Sequence, residues 1–207
     1  MDASLYTRPD KPRATLLKRR RAQAAEPVNI TAPEIVEVDT FTECHVTPLD
    51  VARRMVDYLG EVGDFLTLEP QAGTGNLIAA LYEAGHSRYE LVAVERHYGL
   101  CKAIGKRFKG DQAITPIQQC FLEYAEEAQG KIEFPRIIMN PPFRHVKRHM
   151  KAALNLLGPG GHPDAVLVAL VPITYQHDDA EILEALPRDT FSTAQVATKI
   201  IRIERLA

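Results

Sequence analysis

The chain of 207 residues has few cysteines and no apolar run long enough to cross a membrane. Its three cysteines, Cys44, Cys101 and Cys120, are odd in number and widely spaced. This pattern predicts reduced thiols in a cytoplasmic protein, and it argues against a disulfide framework or a zinc site. Basic residues near the start are not followed by an apolar stretch, so we expect no signal peptide.

Two nucleotide-binding signatures are also missing, although the chain contains a glycine-rich turn. Gly73 and Gly75 lie between an apolar run and a helical pattern. The third glycine of the dinucleotide fingerprint falls at Ile78, and no Gly-Lys-Ser/Thr supports a P-loop. Two glycines at a strand-to-helix turn still let a ligand approach the backbone closely. Because the turn carries Glu69 in place of basic residues, it favours a ligand with a cationic amino-acid part over a phosphate.

A third absence concerns metal ligands. His145 and His149 have helical i, i+4 spacing, but no Glu follows His145. The zinc-protease pattern is therefore incomplete, and we predict no metal site.

The most informative sequence that is present is Asn140-Pro141-Pro142-Phe143, after an apolar run at 136–139. The prolines stiffen the chain and bias Asn140 away from helix. The Asn140 side-chain oxygen and the Pro141 carbonyl can accept hydrogen bonds from an exocyclic amine, and Phe143 can stack on its ring. The alternative interpretation is a strand followed by a rigid turn.

A carboxylate ends the second predicted strand. Glu95 follows an apolar run at 91–94 and stands 20 positions after Gly75. An acid at this place holds a ribose diol in nucleoside-binding α/β folds. The alternative is an acid that interacts with the dipole of the next helix.

Three segments together resemble a known family. They are Glu-Pro-Gln-Ala-Gly-Thr-Gly-Asn at 69–76, Glu95, and Asn-Pro-Pro-Phe at 140–143. Thr47-Pro48, ahead of a predicted helix, is similar to the family's amino-terminal cofactor motif. Over residues 41–207 the chain resembles the S-adenosylmethionine-dependent amino-methyltransferases, especially DNA N6-adenine methyltransferases.

The resemblance implies an α/β, Rossmann-like class I methyltransferase fold, with a mostly parallel seven-stranded sheet and helices on both faces. It implies S-adenosyl-L-methionine as cofactor and methyl transfer to a nucleobase amine, adenine N6 in DNA with low sequence specificity. Catalysis is expected from the Asn-Pro-Pro-Phe residues Asn140, Pro141, Pro142 and Phe143. Cofactor contacts are implied for Thr47, Glu69, Ala72, Gly73, Gly75, Asn76, Glu95, Cys120 and Phe121.

Two positions depart from the family pattern. Cys120 stands where an Asp usually accepts from the cofactor's adenine amine, and a thiol is a poor acceptor. Val46 stands where an aromatic residue is frequent. Relatives that methylate RNA or protein glutamine share the Asn-Pro-Pro-aromatic motif. The alternatives are therefore an RNA base methyltransferase, a protein glutamine methyltransferase, or a non-catalytic accessory subunit that binds the cofactor or nucleic acid.

Basic residues are concentrated in two places, although the net charge is −2. Residues 1–25 contain seven Lys or Arg against two Asp, and predict a disordered arm over 1–30 that tracks polyanions. After Phe143, four basic residues share one helix face and predict contacts with a nucleic-acid backbone: Arg144, Lys147, Arg148 and Lys151. A solvated tail and a solvated helix face are the alternatives.

The remainder, 31–207, is predicted to be one domain of alternating strands and helices without a separate recognition domain. Strands are expected near 64–69, 90–95, 114–118, 136–140, 165–171 and 194–205. Helices are expected from Thr47-Pro48 to Gly60 and near 75–84, 98–108 and 144–157. Only the 172–193 segment remains as a spare loop, so sequence specificity is expected to be low or to come from a partner.

Overall fold

The structure, a computed structural model, describes residues 32–33, 45–110, 113–191 and 196–206. Within these ranges strands and helices alternate along most of the chain. The strands are β1 (Thr67–Glu69), β2 (Leu91–Glu95), β3 (Ile117–Gln118), β4 (Arg136–Met139), β5 (Asp164–Pro172), β6 (Glu181–Leu186) and β7 (Thr198–Leu206). The helices are α1 (Leu49–Leu59), α2 (Asn76–Glu83), α3 (Tyr98–Arg107), α4 (Phe121–Ala128) and α5 (Val146–Leu156), with a 3₁₀ turn at Phe143–His145.

The strands form one seven-stranded sheet in the order β3-β2-β1-β4-β5-β7-β6. Strands β1 to β5 run parallel, and β7 is antiparallel to both of its neighbours. The first strand lies between β2 and β4, so the strand order reverses direction at β1. In open α/β sheets a ligand crevice forms at such a switch point, beyond the carboxyl ends of the strands.

Helices cover both faces of the sheet, which confirms the predicted architecture. Helices α1, α2 and α3 contribute to one buried apolar cluster, and α4 and α5 contribute to the other. The central strand β5 is buried along its apolar run because it separates the two clusters. This double burial explains why its sequence is continuously apolar rather than alternating.

Several predicted boundaries were wrong. The helix expected from Thr47-Pro48 begins at Leu49, and Pro48, not Thr47, occupies its capping position. The strand expected near 114–118 is only two residues long, since Pro116 precedes it without a ladder donor. Helix α4 was missed. The segment 172–193 is not a spare loop, because it contains edge strand β6, which pairs with β7 across a bulge.

Some predictions lie outside the described residues. They include the basic arm within 1–30, Cys44, and the first residues of the strand expected at 194–205. Among the residues that the structure describes, no helix is both long enough and apolar enough to span a membrane.

Candidate active site

The carboxyl ends of β1, β2 and β4 border a cavity of about 280 Å³. It receives residues from the segment before α1, the turns after these strands, and the amino-terminal end of α4. Eleven of the 17 residues predicted for the site or for nucleic-acid contact line it: Thr47, Glu69, Ala72, Gly73, Asn76, Glu95, Cys120, Phe121, Asn140, Pro142 and Arg144. Residues that were not predicted extend the wall, among them His45, Gln71, Arg96, His145 and His149.

Asn140 follows β4 directly, and protein acceptors hold its amide nitrogen. Nδ2 donates to the His45 carbonyl at 2.9 Å and to the Thr47 hydroxyl at 2.9 Å. Because a carbonyl can only accept, these contacts determine which amide atom is nitrogen. Oδ1 is buried and has no hydrogen-bond partner among the described residues. The cavity wall therefore contains a fixed amide acceptor that lacks a donor.

Thr47 connects the Asn140 loop with the glycine-rich turn. Its hydroxyl accepts from Asn140, and its carbonyl accepts from Asn76 Nδ2 at 2.7 Å. Asn76 Oδ1 in turn accepts from Arg107 at 2.8 Å, and the same guanidinium donates to the Thr74 carbonyl. A continuous hydrogen-bond chain thus runs from α3 to the Asn-Pro-Pro loop. The buried Thr47 is its central member.

Glycine is present at the two positions of this turn for different structural reasons. Gly73 adopts φ 53°, and its N–H donates to Glu95 Oε2 at 2.8 Å. Gly75 precedes α2 at φ 81° and does not line the cavity. A Cβ at Gly75 would lie 3.0 Å from Phe108, so close packing against that ring restricts the position to glycine. A direct contact between Gly75 and a cofactor stays a prediction.

Glu69 is the last residue of β1 and is almost completely buried. Burial, and the negative charge of Glu95, raise its pKa to about 8. Oε2 has no hydrogen-bond partner among the described residues. A buried carboxyl in this state has a strong preference for a cationic partner, since a nearby positive charge would stabilise its ionised form.

Glu95 stabilises the backbone around the cavity. One carboxylate oxygen accepts from the Gly73 N–H and the other from the His97 N–H at 2.7 Å. The His97 N–H lies just before α3, so Glu95 also acts as an acid at the start of that helix, which was the alternative interpretation of this residue. Each carboxylate oxygen can accept more than one hydrogen bond, which leaves capacity for a ribose hydroxyl.

The opposite wall contains an aromatic pair that sequence reasoning missed. The His149 ring stacks on Phe121 with centroids 6.0 Å apart and an interplanar angle of 26°. His149 is buried, and burial together with the positive charges of His145, Arg148 and Arg96 lowers its pKa to about 4. Its position three residues after Val146 and four before Ala153, on the apolar face of α5, was the available signal.

Phe143 and Pro141 do not line the cavity. Phe143 is half-buried and stacks on His45, with centroids 4.9 Å apart and an interplanar angle of 24°. Its edge also meets Phe191, with centroids 5.8 Å apart. One ring face therefore packs on His45, and stacking of Phe143 on a target base stays a prediction.

The predicted basic face is exposed along α5 and the preceding turn. Arg144, at the start of this face, also lines the cavity. The other three basic residues do not reach the cavity but lie on the solvent side of the helix: Lys147, Arg148 and Lys151. The basic face and the cavity are thus adjacent.

The residues present fit S-adenosylmethionine on two observations. The unpartnered Glu69 carboxyl suits a ligand that carries an ammonium and a sulfonium, and Glu95 ends β2 where a ribose is held in related folds. Cys120 lines the cavity beside Phe121, where the resemblance places the adenine. No group of metal-ligating residues occurs among the described residues.

No family model matches the chain, and no curated protein matches its sequence. Solved structures do match its fold. The 23S rRNA methyltransferase ErmE is 16% identical with a TM-score of 0.58, over 76% of this chain and 68% of that chain. A modification subunit of a putative type I restriction enzyme from Vibrio vulnificus is 15% identical with a TM-score of 0.60, over 93% of this chain and 48% of that one.

A type I restriction-modification methyltransferase subunit from Streptococcus thermophilus is 13% identical with a TM-score of 0.60, over 76% of this chain and 44% of that subunit. The chain thus aligns with less than half of either type I subunit. The identities are low, so the comparisons concern architecture. On strand order and on these matches, the protein has the Rossmann-like class I fold found in methyltransferases of DNA-modification systems and of ribosomal RNA.

Proposed function

We propose that the protein transfers a methyl group from S-adenosylmethionine to an exocyclic amine of a nucleobase, adenine N6 in DNA. The observation that carries the proposal is the unpartnered Oδ1 of Asn140, fixed at a cavity that also contains the unpartnered carboxyl of Glu69. The first atom suits an amine that must be oriented, and the second suits a cationic cofactor.

On the cofactor side, the bound sulfonium supplies an activated methyl group and its leaving group. The chain's own residues bind and orient it. Glu69 faces the cationic amino-acid part, Glu95 accepts from the ribose, and Phe121 packs beside the adenine. Cys120 contributes little to the adenine amine because a thiol accepts hydrogen bonds weakly.

On the target side, Asn140 Oδ1 accepts one N–H of the base amine. The carbonyl of Pro141, a residue that adjoins Asn140 but does not line the cavity, is proposed to accept the other. The amine is a weak nucleophile because its lone pair is delocalised into the ring. Two accepted hydrogen bonds localise the lone pair and aim it at the methyl group. The N–CH3 bond would form as the S–CH3 bond breaks, the thioether would leave as S-adenosylhomocysteine, and the methylated amine would lose one proton to solvent. A base in a duplex must first leave the stack.

We also propose that the described domain has little sequence specificity of its own. The described residues after His45 form the sheet and its helices, and β6 occupies the segment that had looked spare. The matched type I subunits are more than twice as long as the part aligned. We propose that target selection is weak or that a partner supplies it.

RNA is the second candidate acceptor. The match to a 23S rRNA methyltransferase covers 76% of the chain, with a TM-score close to that of the type I subunits. The proposed hydrogen bonds involve the base amine, which DNA and RNA share.

The deciding experiment incubates the purified protein with methyl-labelled cofactor and with DNA, RNA or protein in separate reactions. Nucleoside and amino-acid analysis then identifies the methylated product. N6-methyladenine in DNA supports the proposal, and methyladenine in RNA selects the second candidate. Label in glutamine, or in no acceptor although the cofactor binds, contradicts nucleobase methylation.

Replacing Thr47 by Val is expected to lower kcat about tenfold, the equivalent of one hydrogen bond. The change removes the hydroxyl that holds the Asn140 amide but retains the carbonyl that accepts from Asn76. Cofactor affinity should therefore change little. Thr47→Ser restores the hydroxyl and should restore kcat. An equal loss in Thr47→Ser, which retains the hydroxyl, would contradict the role assigned to that hydroxyl.

Removing Lys147 and Arg148 together is expected to flatten the salt dependence of DNA binding. Each lost phosphate contact should reduce the slope of log affinity against log salt by about 0.9 on a duplex, or about 0.7 on single strands. All sequences should be weakened alike, because phosphate contacts carry no base information. Binding isotherms at several salt concentrations measure the slope.

A matched control removes two exposed lysines near another helix, Lys102 and Lys109. It should leave the slope unchanged. Deletion of residues 1–25, which removes seven basic residues, should flatten the slope further without changing cofactor affinity. If the slope of log affinity against log salt is unchanged in the Lys147/Arg148 variant, the basic face is only a solvated helix face.

A further inference from the structure

Gln71 contributes a third unpartnered acceptor to the cavity wall. Its Oε1, like Glu69 Oε2 and Asn140 Oδ1, is buried and has no hydrogen-bond partner among the described residues. All three residues line the same cavity. The proposed function uses Glu69 and Asn140 but assigns nothing to Gln71.

The amide of Gln71 contacts a histidine side chain on α5. Its Nε2 lies 2.9 Å from Nδ1 of His149 on α5. His149 is buried and neutral at neutral pH, since burial, with further contributions from the nearby His145, Arg148 and Arg96, lowers its pKa to about 4. With the lone pair on Nδ1, the ring accepts from the Gln71 amide nitrogen, and Oε1 remains for a ligand donor.

The number of N–H donors on each ligand group indicates which group Gln71 contacts. The amine of a target base has two N–H groups, which Asn140 Oδ1 and the Pro141 carbonyl accept in the proposed function. An ammonium has three N–H groups and a positive charge. Gln71 is two positions after Glu69 in the turn that follows β1, and Glu69 is the residue suited to a cation.

We propose that Gln71 Oε1 accepts a hydrogen bond from the ammonium of the cofactor's methionine part, and that His149 is the positioning residue that holds the Gln71 amide. This inference rests on the proposed function, because it presupposes that the cavity binds S-adenosylmethionine. It adds a residue that distinguishes ligands with the amino-acid part from ligands without it.

The test compares two ligands that differ in this part. S-adenosylhomocysteine carries the ammonium, whereas methylthioadenosine lacks the whole amino-acid end. Gln71→Met removes the acceptor at similar side-chain length. Calorimetry should show affinity for S-adenosylhomocysteine falling about tenfold or more, as expected for a hydrogen bond to a charged group. Affinity for methylthioadenosine should be unchanged, and Gln176→Met, at an exposed glutamine, should alter neither.

A second variant tests the role of His149. His149→Phe retains a ring beside Phe121 but removes Nδ1. The ratio of the affinity for S-adenosylhomocysteine to the affinity for methylthioadenosine should therefore fall. Adding Gln71→Met to it should change the ratio little further, because the two residues act as one unit. An unchanged ratio in His149→Phe would overturn the positioning role.

Other outcomes are separable. Equal weakening of both ligands by Gln71→Met would indicate general damage to the cavity and overturn the assignment. An unchanged affinity for S-adenosylhomocysteine with a raised KM for nucleic acid would assign Gln71 to the target base and also overturn it. If the wild-type protein binds neither ligand, the proposed function fails, and this inference fails with it.

Discussion

Replacing Asn140 by Ala is expected to reduce methyl transfer by about hundredfold or more while cofactor affinity stays near the wild-type value. The lost Oδ1 is a fixed acceptor for the amine, and losing such an orienting contact costs a few kcal/mol in the transition state, about two decades in rate. The cofactor contacts proposed for Glu69 and Glu95 do not involve this side chain. Single-turnover rates at saturating nucleic acid, with calorimetry of S-adenosylhomocysteine binding, measure the two effects separately.

Asn155→Ala is the matched control, because Asn155 is exposed on α5. It should leave rate and affinity unchanged. The Asn140 variant also loses two anchoring bonds to His45 and Thr47, so its thermal unfolding should be measured beside the wild type. Turnover of a folded Asn140→Ala protein within a few fold of wild type would remove Asn140 from the mechanism.

Replacing Glu69 by Gln is expected to change how the stability of the ligand-free protein depends on pH. The folded protein holds the Glu69 proton up to about pH 8, compared with an ordinary pKa of 4.5. Relative to the unfolded chain, protonated Glu69 favours the folded protein fully below the ordinary pKa, and this contribution to stability is lost as the pH rises through about 8. Between these two pKa values the folded protein binds one proton more than the unfolded chain, so each unit of rising pH lowers the free energy of unfolding by about 1.4 kcal/mol. Urea unfolding of both proteins across the interval should show this slope in the wild type and not in Glu69→Gln.

The same carboxyl should release a proton when the cofactor binds. A cation beside Glu69 favours its ionised form and lowers its pKa. Calorimetry below about pH 8, in buffers of different ionisation enthalpy, should detect this release in the wild type. Glu69→Gln should bind more weakly and release no proton. Identical enthalpies in all buffers for the wild-type protein would show that Glu69 does not face the cation. Glu95 is less suitable for this test because both of its oxygens also hold backbone N–H groups.

Much of the sheet was predictable because local patterns agree with the observed topology. Apolar runs that end in Glu69, Glu95 and Asn140 predict parallel strands whose carboxyl ends meet. The structure places all three residues at one cavity. Strand β6 was missed because an edge strand with an exposed face has no continuous apolar run, and Ile182 is 59% exposed. Helix α4 has only eight residues, which are too few for a clear helical repeat of apolar positions.

The contacts that orient the site could not be predicted because they join distant parts of the chain. Asn140 is anchored by residues 93 and 95 positions earlier, and Gln71 by a histidine 78 positions later. No periodicity links such pairs. The spacing of His149 from His145 indicates only an incomplete metal pattern, whereas its position on the apolar face of α5 indicates the burial that the structure has. Phe143 was assigned to a target base, and its packing against His45 depends on the same distant segment.

The anchoring of Asn140 by His45 and Thr47 also determines where the preceding chain joins the protein. Both residues belong to the segment that leads into α1, and both line the cavity. The amino-terminal sequence, which contains seven basic residues within 1–25, is therefore covalently attached at the mouth of the cavity. Attached charges act at a local concentration that depends on the length of the tether and on its point of attachment. If these residues bind a polyanion as proposed, their point of attachment is expected to keep it within the reach of the tether from Asn140.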